Sequence, residues 1–146
     1  MFGYEYIGLA KLYRVPFSLI SQSRLVSSIP ALVSKYRNTP FSIQDGFSEW
    51  KGNGYLHIAE YNGSLAGIMR LDERRTCWGL SSFIVDEELR GCGIGNALLN
   101  SINFLDKPVY LKVQQDNPAI HLYKRHNFKM IEKIDGRYNM IKTESL

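Results

Sequence analysis

The chain has 146 residues, 45% of them apolar and 22% charged, which is enough for one domain around one sizeable core and unlike a disordered or fibrous chain. Its net charge of +4 is spread in small groups such as Lys11 with Arg14, Arg74 with Arg75, and Lys124 with Arg125, so no nucleic-acid tail is expected and a phosphorylated ligand would suit it equally. Two cysteines, Cys77 and Cys92, are too few for a disulfide framework or a paired zinc site, and no apolar run or leader-like N-terminus points to a membrane or to export; a reduced cytoplasmic setting without a metal is expected.

In chain order, alternation of Tyr4, Tyr6 and Gly8 with Glu5, Ile7 and Leu9 predicts a first strand. From Pro16 to about Arg37, Leu19, Ile20, Leu25, Val26, Ile29, Leu32 and Val33 recur at helical spacing and predict two short helices, the second starting at Pro30. Residues 38 to 54, rich in Gly, Asn and Pro, read as loop. Tyr55 to Tyr61 and Ser64 to Leu71 form a hairpin across Asn62-Gly63, a dipeptide that tolerates the positive φ of a tight turn, and Cys77 to Val85 adds a third strand. Ile94, Ala97, Leu98, Ile102 and Leu105 share one helical face, and the extended run Val109 to Val113 follows. Asn117 caps a second helix with Pro118 in its first turn, and two last strands, about 128 to 134 and 137 to 142, flank Asp135-Gly136.

Between the third strand and the first amphipathic helix lies Arg90-Gly91-Cys92-Gly93-Ile94-Gly95-Asn96. Glycines without Cβ let a backbone curl and turn successive N–H groups to one point, and the helix start adds positive potential, so the turn suits a phosphate or pyrophosphate. A dinucleotide fingerprint would need glycine where Asn96 or Leu98 stands, and a Walker A loop would need lysine and a hydroxyl residue after Gly95; neither is present.

Arg90, Gly93 and Gly95 resemble the acyl-CoA loop of the GNAT superfamily of N-acetyltransferases, Arg or Gln, two residues, Gly, any residue, Gly or Ala. Downstream, the run Asn117-Pro118-Ala119 through Leu122-Tyr123 to Asn127-Phe128 is similar to the family's other hallmark, with Asn127 in place of a glycine that ends the helix. The resemblance covers about residues 55 to 142. It implies an α/β fold with a mixed, mostly antiparallel sheet of six to seven strands, helices on both faces, splayed near its centre to admit the pantetheine arm of coenzyme A. One domain over 1–146 is expected, with a variable substrate-side segment at about 16–54 and a cofactor-binding core at about 55–142.

The resemblance further implies transfer of an acetyl group from acetyl-CoA to a primary amine of a small molecule or protein, by direct attack. The cofactor would meet backbone groups of Phe83, Ile84 and Val85, the loop Arg90, Gly91, Cys92, Gly93, Ile94, Gly95 and Asn96, and Asn117 and Tyr123. Tyr123 would also be the general acid that protonates the departing thiolate. Cys92, with no histidine adjacent in sequence, is not read as a nucleophile. Several relatives carry a catalytic Glu where this chain has Lys112, which leaves Glu60, Asp116, His121 or a water chain as candidate bases. Trp50, Tyr55 and Trp78 are candidates for an apolar acceptor pocket or for core. A non-catalytic acyl-CoA sensor of the same fold is the alternative, and a homodimer is left open.

Overall fold

In the computed structural model, residues 4–7, 10–22, 28–29, 31–32, 53–89, 91–103 and 105–143 are described. The strands are β1 (Tyr4–Ile7), β2 (Ala10–Pro16), β3 (Gly54–Tyr61), β4 (Ser64–Glu73), β5 (Trp78–Val85), β6 (Val109–Gln114), β7 (Lys129–Ile134) and β8 (Arg137–Lys142), and the helices are α1 (Ile94–Asn100) and α2 (Ala119–Arg125). All eight strands form one sheet in the order β1-β2-β3-β4-β5-β6-β8-β7, antiparallel throughout except for β5 with β6.

The mixed, mostly antiparallel sheet is as expected, but it has eight strands where six to seven were predicted. The added strand is β2, which pairs along its whole length with β3, from Ala10↔Tyr61 to Pro16↔Tyr55. Its apolar residues are divided between the two faces, Ala10 and Leu12 on one and Val15 on the other, which blurs the alternation that marks a half-buried strand. Asn62 and Gly63 take φ of 52° and 81°, and Asp135 and Gly136 take 51° and 75°, as tight hairpins require.

Two apolar layers sandwich the sheet. On one face Met69, Leu71, Leu80, Leu111, Val113 and Met140 pack with Ile94, Leu98 and Leu99 of α1 and Ile120 and Tyr123 of α2. On the other, Leu56, Ile58, Ile68 and Ile84 meet Ile29 and Leu32. The predicted helical stretch after Pro16 begins as a 3-10 helix, Phe17–Gln22, whose Phe17 and Leu19 pack against this second layer; Arg37 and the loop up to residue 52 lie outside the described residues. Burying a Leu or Ile side chain of this kind contributes on the order of 1.5–3 kcal/mol, so the layers dominate the fold's stability.

Helix α1 ends at Asn100, short of the predicted Leu105. Ser101 Oγ donates back to the Leu98 carbonyl, and the chain continues in tighter turns in which Asn103 N–H reaches Asn100 O at 3.2 Å. The same Ser101 oxygen lies 2.8 Å from His57 Nδ1. Because Ser101 uses its own proton on Leu98 O, Nδ1–H must be the donor, which leaves Nε2 bare, buried and without a partner among the described residues. Burial, helped by the Arg14 charge, holds the His57 pKa down at about 3.

A depressed histidine leaves the native state neutral where the unfolded chain binds a proton, so its stabilisation is present above the ordinary value of 6.5 and is lost as pH falls toward 3. Across that window the wild type should lose about 1.4 kcal/mol per pH unit more than His57→Gln in denaturant titrations. Parallel pH profiles for the two proteins would contradict this assignment.

Candidate active site

The end of β5 leads into a 3-10 turn, Glu87–Leu89, in which Asp86 O accepts Leu89 N–H at 2.9 Å and Leu89 O then accepts Cys92 N–H at 3.2 Å. Gly91 and Gly93 follow with φ of 88° and 83°, a region that side chains rarely adopt. The first intrahelical bond of α1 runs from Ala97 N–H to Gly93 O, 2.9 Å, so the N–H groups of Gly93, Ile94, Gly95 and Asn96 have no helical carbonyl to satisfy them. Among the described residues, and apart from its chain neighbours, a Cβ at Gly91 or Gly93 would meet no atom within 4 Å. N–H groups without a helical carbonyl, on a glycine backbone that carries no side chain, are what an anion-binding turn needs. Arg90 lies outside the described residues.

Beside this turn the sheet opens. Strands β5 and β6 pair only at Trp78↔Val109 and Gly79↔Tyr110, so beyond Gly79 the ladder between them stops, as the expected splay requires. A bulge reinforces the divergence: Ile68↔Ile84 and Arg70↔Ser81 bracket one residue of β4 against two of β5, and Ser82 there has φ 49°. Past the bulge, Phe83 and Val85 face the helices while Ile84 joins the opposite layer. A Cβ at Gly95 would stand 3.0 Å from Leu122 Cδ2, 3.5 Å from Phe83 Cζ and 3.8 Å from Val85 Cγ2, so the missing side chain lets α1 approach α2 over the end of β5.

Tyr123 of α2 packs against Phe83, near this divergence. It is 5% exposed, its ring centroid 5.7 Å from those of both Phe83 and Phe128. Burial pushes its phenol well above the ordinary value of 10.0, so it stays protonated at any working pH, and among the described residues the hydroxyl has no hydrogen-bond partner. The helix that carries it is set at both ends. Asn117 Oδ1 accepts Ala119 N–H at 2.9 Å with Pro118 in the first turn, and Asn127 takes φ 68° where the family pattern has glycine.

Contacts thus run from Tyr123 through Phe83 to Gly95, the third glycine of the turn that holds Gly91 and Gly93, with Val85 also beside Gly95. Ile94 is 1% exposed, so its side chain is core and only its N–H faces the turn, while Cys92 is an exposed free thiol. Asn117 is exposed and its side chain serves as the cap. Among the candidate bases, buried Glu60 accepts the Tyr13 hydroxyl at 2.7 Å, and Tyr13 packs with the layer opposite Tyr123; Asp116 and His121 are exposed. Tyr55 and Trp78, 6.1 Å apart, pack at the far end of β5 from the turn, and Trp50 is outside the described residues.

Two residues at the site had no signal in the sequence. His126 Nε2 lies 2.8 Å from Asn96 Oδ1, tying the end of α2 to the first turn of α1, and Lys142 Nζ donates to His126 O at 2.9 Å. Only the folded sheet brings β8 to this corner.

A model of the acetyltransferase (GNAT) family matches residues 23–128. A search of the curated proteins returned no match. Among solved structures, PH1933 of Pyrococcus horikoshii is 28% identical over 62% of this chain and 66% of that one, with a TM-score of 0.56. Ard1 of Thermoplasma volcanium is 20% identical over 93% and 98%, TM-score 0.69. The PaiA N-acetyltransferase of Thermoplasma acidophilum, solved in complex with coenzyme A, is 14% identical over 92% and 98%, TM-score 0.67. The last two show a shared fold over nearly the whole chain.

Proposed function

Because the chain belongs to the GNAT acetyltransferase family, we propose that it transfers an acetyl group from acetyl-CoA to a primary amine, the amine attacking the thioester directly. The observation that carries the reading is the pairing of an open, glycine-lined turn at α1 with a buried phenol across the splayed strands. Fit is good on this chain's own geometry. The turn offers a cluster of N–H groups and free space to a pyrophosphate, and the edge of β5 beyond Gly79 offers backbone groups to the amide-bearing pantetheine arm.

Attack of a neutral amine on the thioester carbonyl gives a tetrahedral adduct, which collapses by expelling the thiolate. Tyr123 donates its hydroxyl proton toward the sulfur as negative charge develops there. Its raised pKa keeps the donor loaded, and after the thiol leaves the phenolate recovers a proton from water, which balances the one that the attacking amine gives up. The attacking amine loses its own proton to solvent water. The segment at about 16–54 would shape the amine pocket, and a cytoplasmic enzyme is the setting that fits this chemistry.

A thiol-release assay with acetyl-CoA and a panel of amines, covering polyamines, amino acids, aminoglycosides and peptide N-termini, tests the reading. At least one class should release free thiol in proportion to acetylated product. Tight coenzyme A binding with no release from any class would favour a non-catalytic binding module instead.

A further inference from the structure

The corner where α2 ends against β8 carries a concentration of positive charge that the catalytic reading does not use. Lys124 and Arg125 close α2, His126 caps it, and Lys142 of β8, only 4% exposed, reaches over to the His126 carbonyl. Among the described residues no carboxylate pairs with Lys124, Arg125 or Lys142. Such a cluster is self-repelling in the free protein and is relieved when an anion arrives.

His126 links this cluster to the glycine turn. Its Nε2 meets Asn96 Oδ1 at 2.8 Å, and since that oxygen only accepts, Nε2 carries the hydrogen and Nδ1 is the position left to take up a proton. The charged groups acting on the ring are Lys142 from β8 and Arg125 from α2, both cations; α1 presents the neutral Asn96.

We propose that His126 is a proton-linked positioning residue of the cofactor site: held by Asn96 beside the glycine turn, it takes up a proton when a phosphate group of the cofactor binds there. The inference rests on the acetyl-CoA reading given above. Its sign follows from the surroundings. Burial, then Lys142 and Arg125, hold the His126 pKa below the ordinary 6.5 in the free protein, and an incoming phosphate offsets both cations and raises it. Between the free and bound values, binding draws one proton from solvent, so affinity should strengthen as pH falls through that window.

The test is calorimetric titration of the full chain with acetyl-CoA near pH 6.5, in two buffers of different ionisation enthalpy. The wild type should take up a substantial fraction of one proton more than His126→Gln, whose amide still donates to Asn96, because the ligand's own phosphate titration is common to both. The ring resonance of His126 should also titrate at higher pH in the complex than in the free protein, a readout that a merely structural role would not move. Equal net proton exchange in the wild type and His126→Gln, with binding intact in both, overturns the inference alone. No binding at all sinks the cofactor reading and this inference with it.

Discussion

Gly93→Ala should bind acetyl-CoA about 10- to 100-fold more weakly than the wild type while remaining folded. Gly93 has φ 83°, and among the described residues outside its chain neighbours no atom lies within 4 Å of where its Cβ would stand. A methyl group there strains the backbone by about 1–2 kcal/mol, and on the proposed acetyl-CoA reading it stands where the phosphate would approach the N–H groups of the turn. Losing one charge-assisted hydrogen bond removes about 1.5–3 kcal/mol, which is the affinity change stated.

Strain alone is separated from obstruction by a matched control. Gly63, in the β3–β4 hairpin, has φ 81° and likewise nothing within 4 Å of its Cβ position. Gly63→Ala should therefore lower the thermal midpoint by a similar amount and leave affinity for acetyl-CoA unchanged. Equal affinity losses in the two variants would mean that the turn at Gly93 is not where the ligand sits.

Tyr123→Phe should lower turnover by roughly 100-fold and leave the dissociation constant for coenzyme A within about twofold, in the range that loss of a positioned proton donor gives. The ring remains wedged between Phe83 and Phe128, so packing is conserved and only the hydroxyl is removed. The pH profile supplies a second check. With the phenol raised by burial, no alkaline fall in turnover should arise from Tyr123 below the ordinary 10.0, and the rate should climb with deprotonation of the amine. The same shift makes the phenol's contribution to stability present below pH 10.0 and lost above it. Unchanged turnover in the phenylalanine variant would remove Tyr123 from the acid role.

Much of this site is local in sequence and was therefore readable there. The glycine turn, the Asn117 cap with Pro118, the left-handed Asn127 and the Asn62-Gly63 hairpin are each fixed by backbone preferences of a few adjacent residues. What escaped depends on distance along the chain. Strand β2 divides its apolar residues between two layers, so its period is visible only once β3 lies beside it. The His126 to Asn96 bridge spans 30 positions and the Lys142 contact to His126 spans 16, with no motif that pairs them. The bulge at Ser82 is likewise set by the register of β4 against β5, in a segment that reads simply as strand.

The central claim is that the open turn between β5 and α1 binds acetyl-CoA, and calorimetric titration of the purified wild-type chain tests it most directly. The account predicts saturable binding at one site with micromolar affinity, weakened in Gly93→Ala and intact in Gly63→Ala. A folded wild-type protein that takes up no acetyl-CoA at millimolar concentration would contradict it.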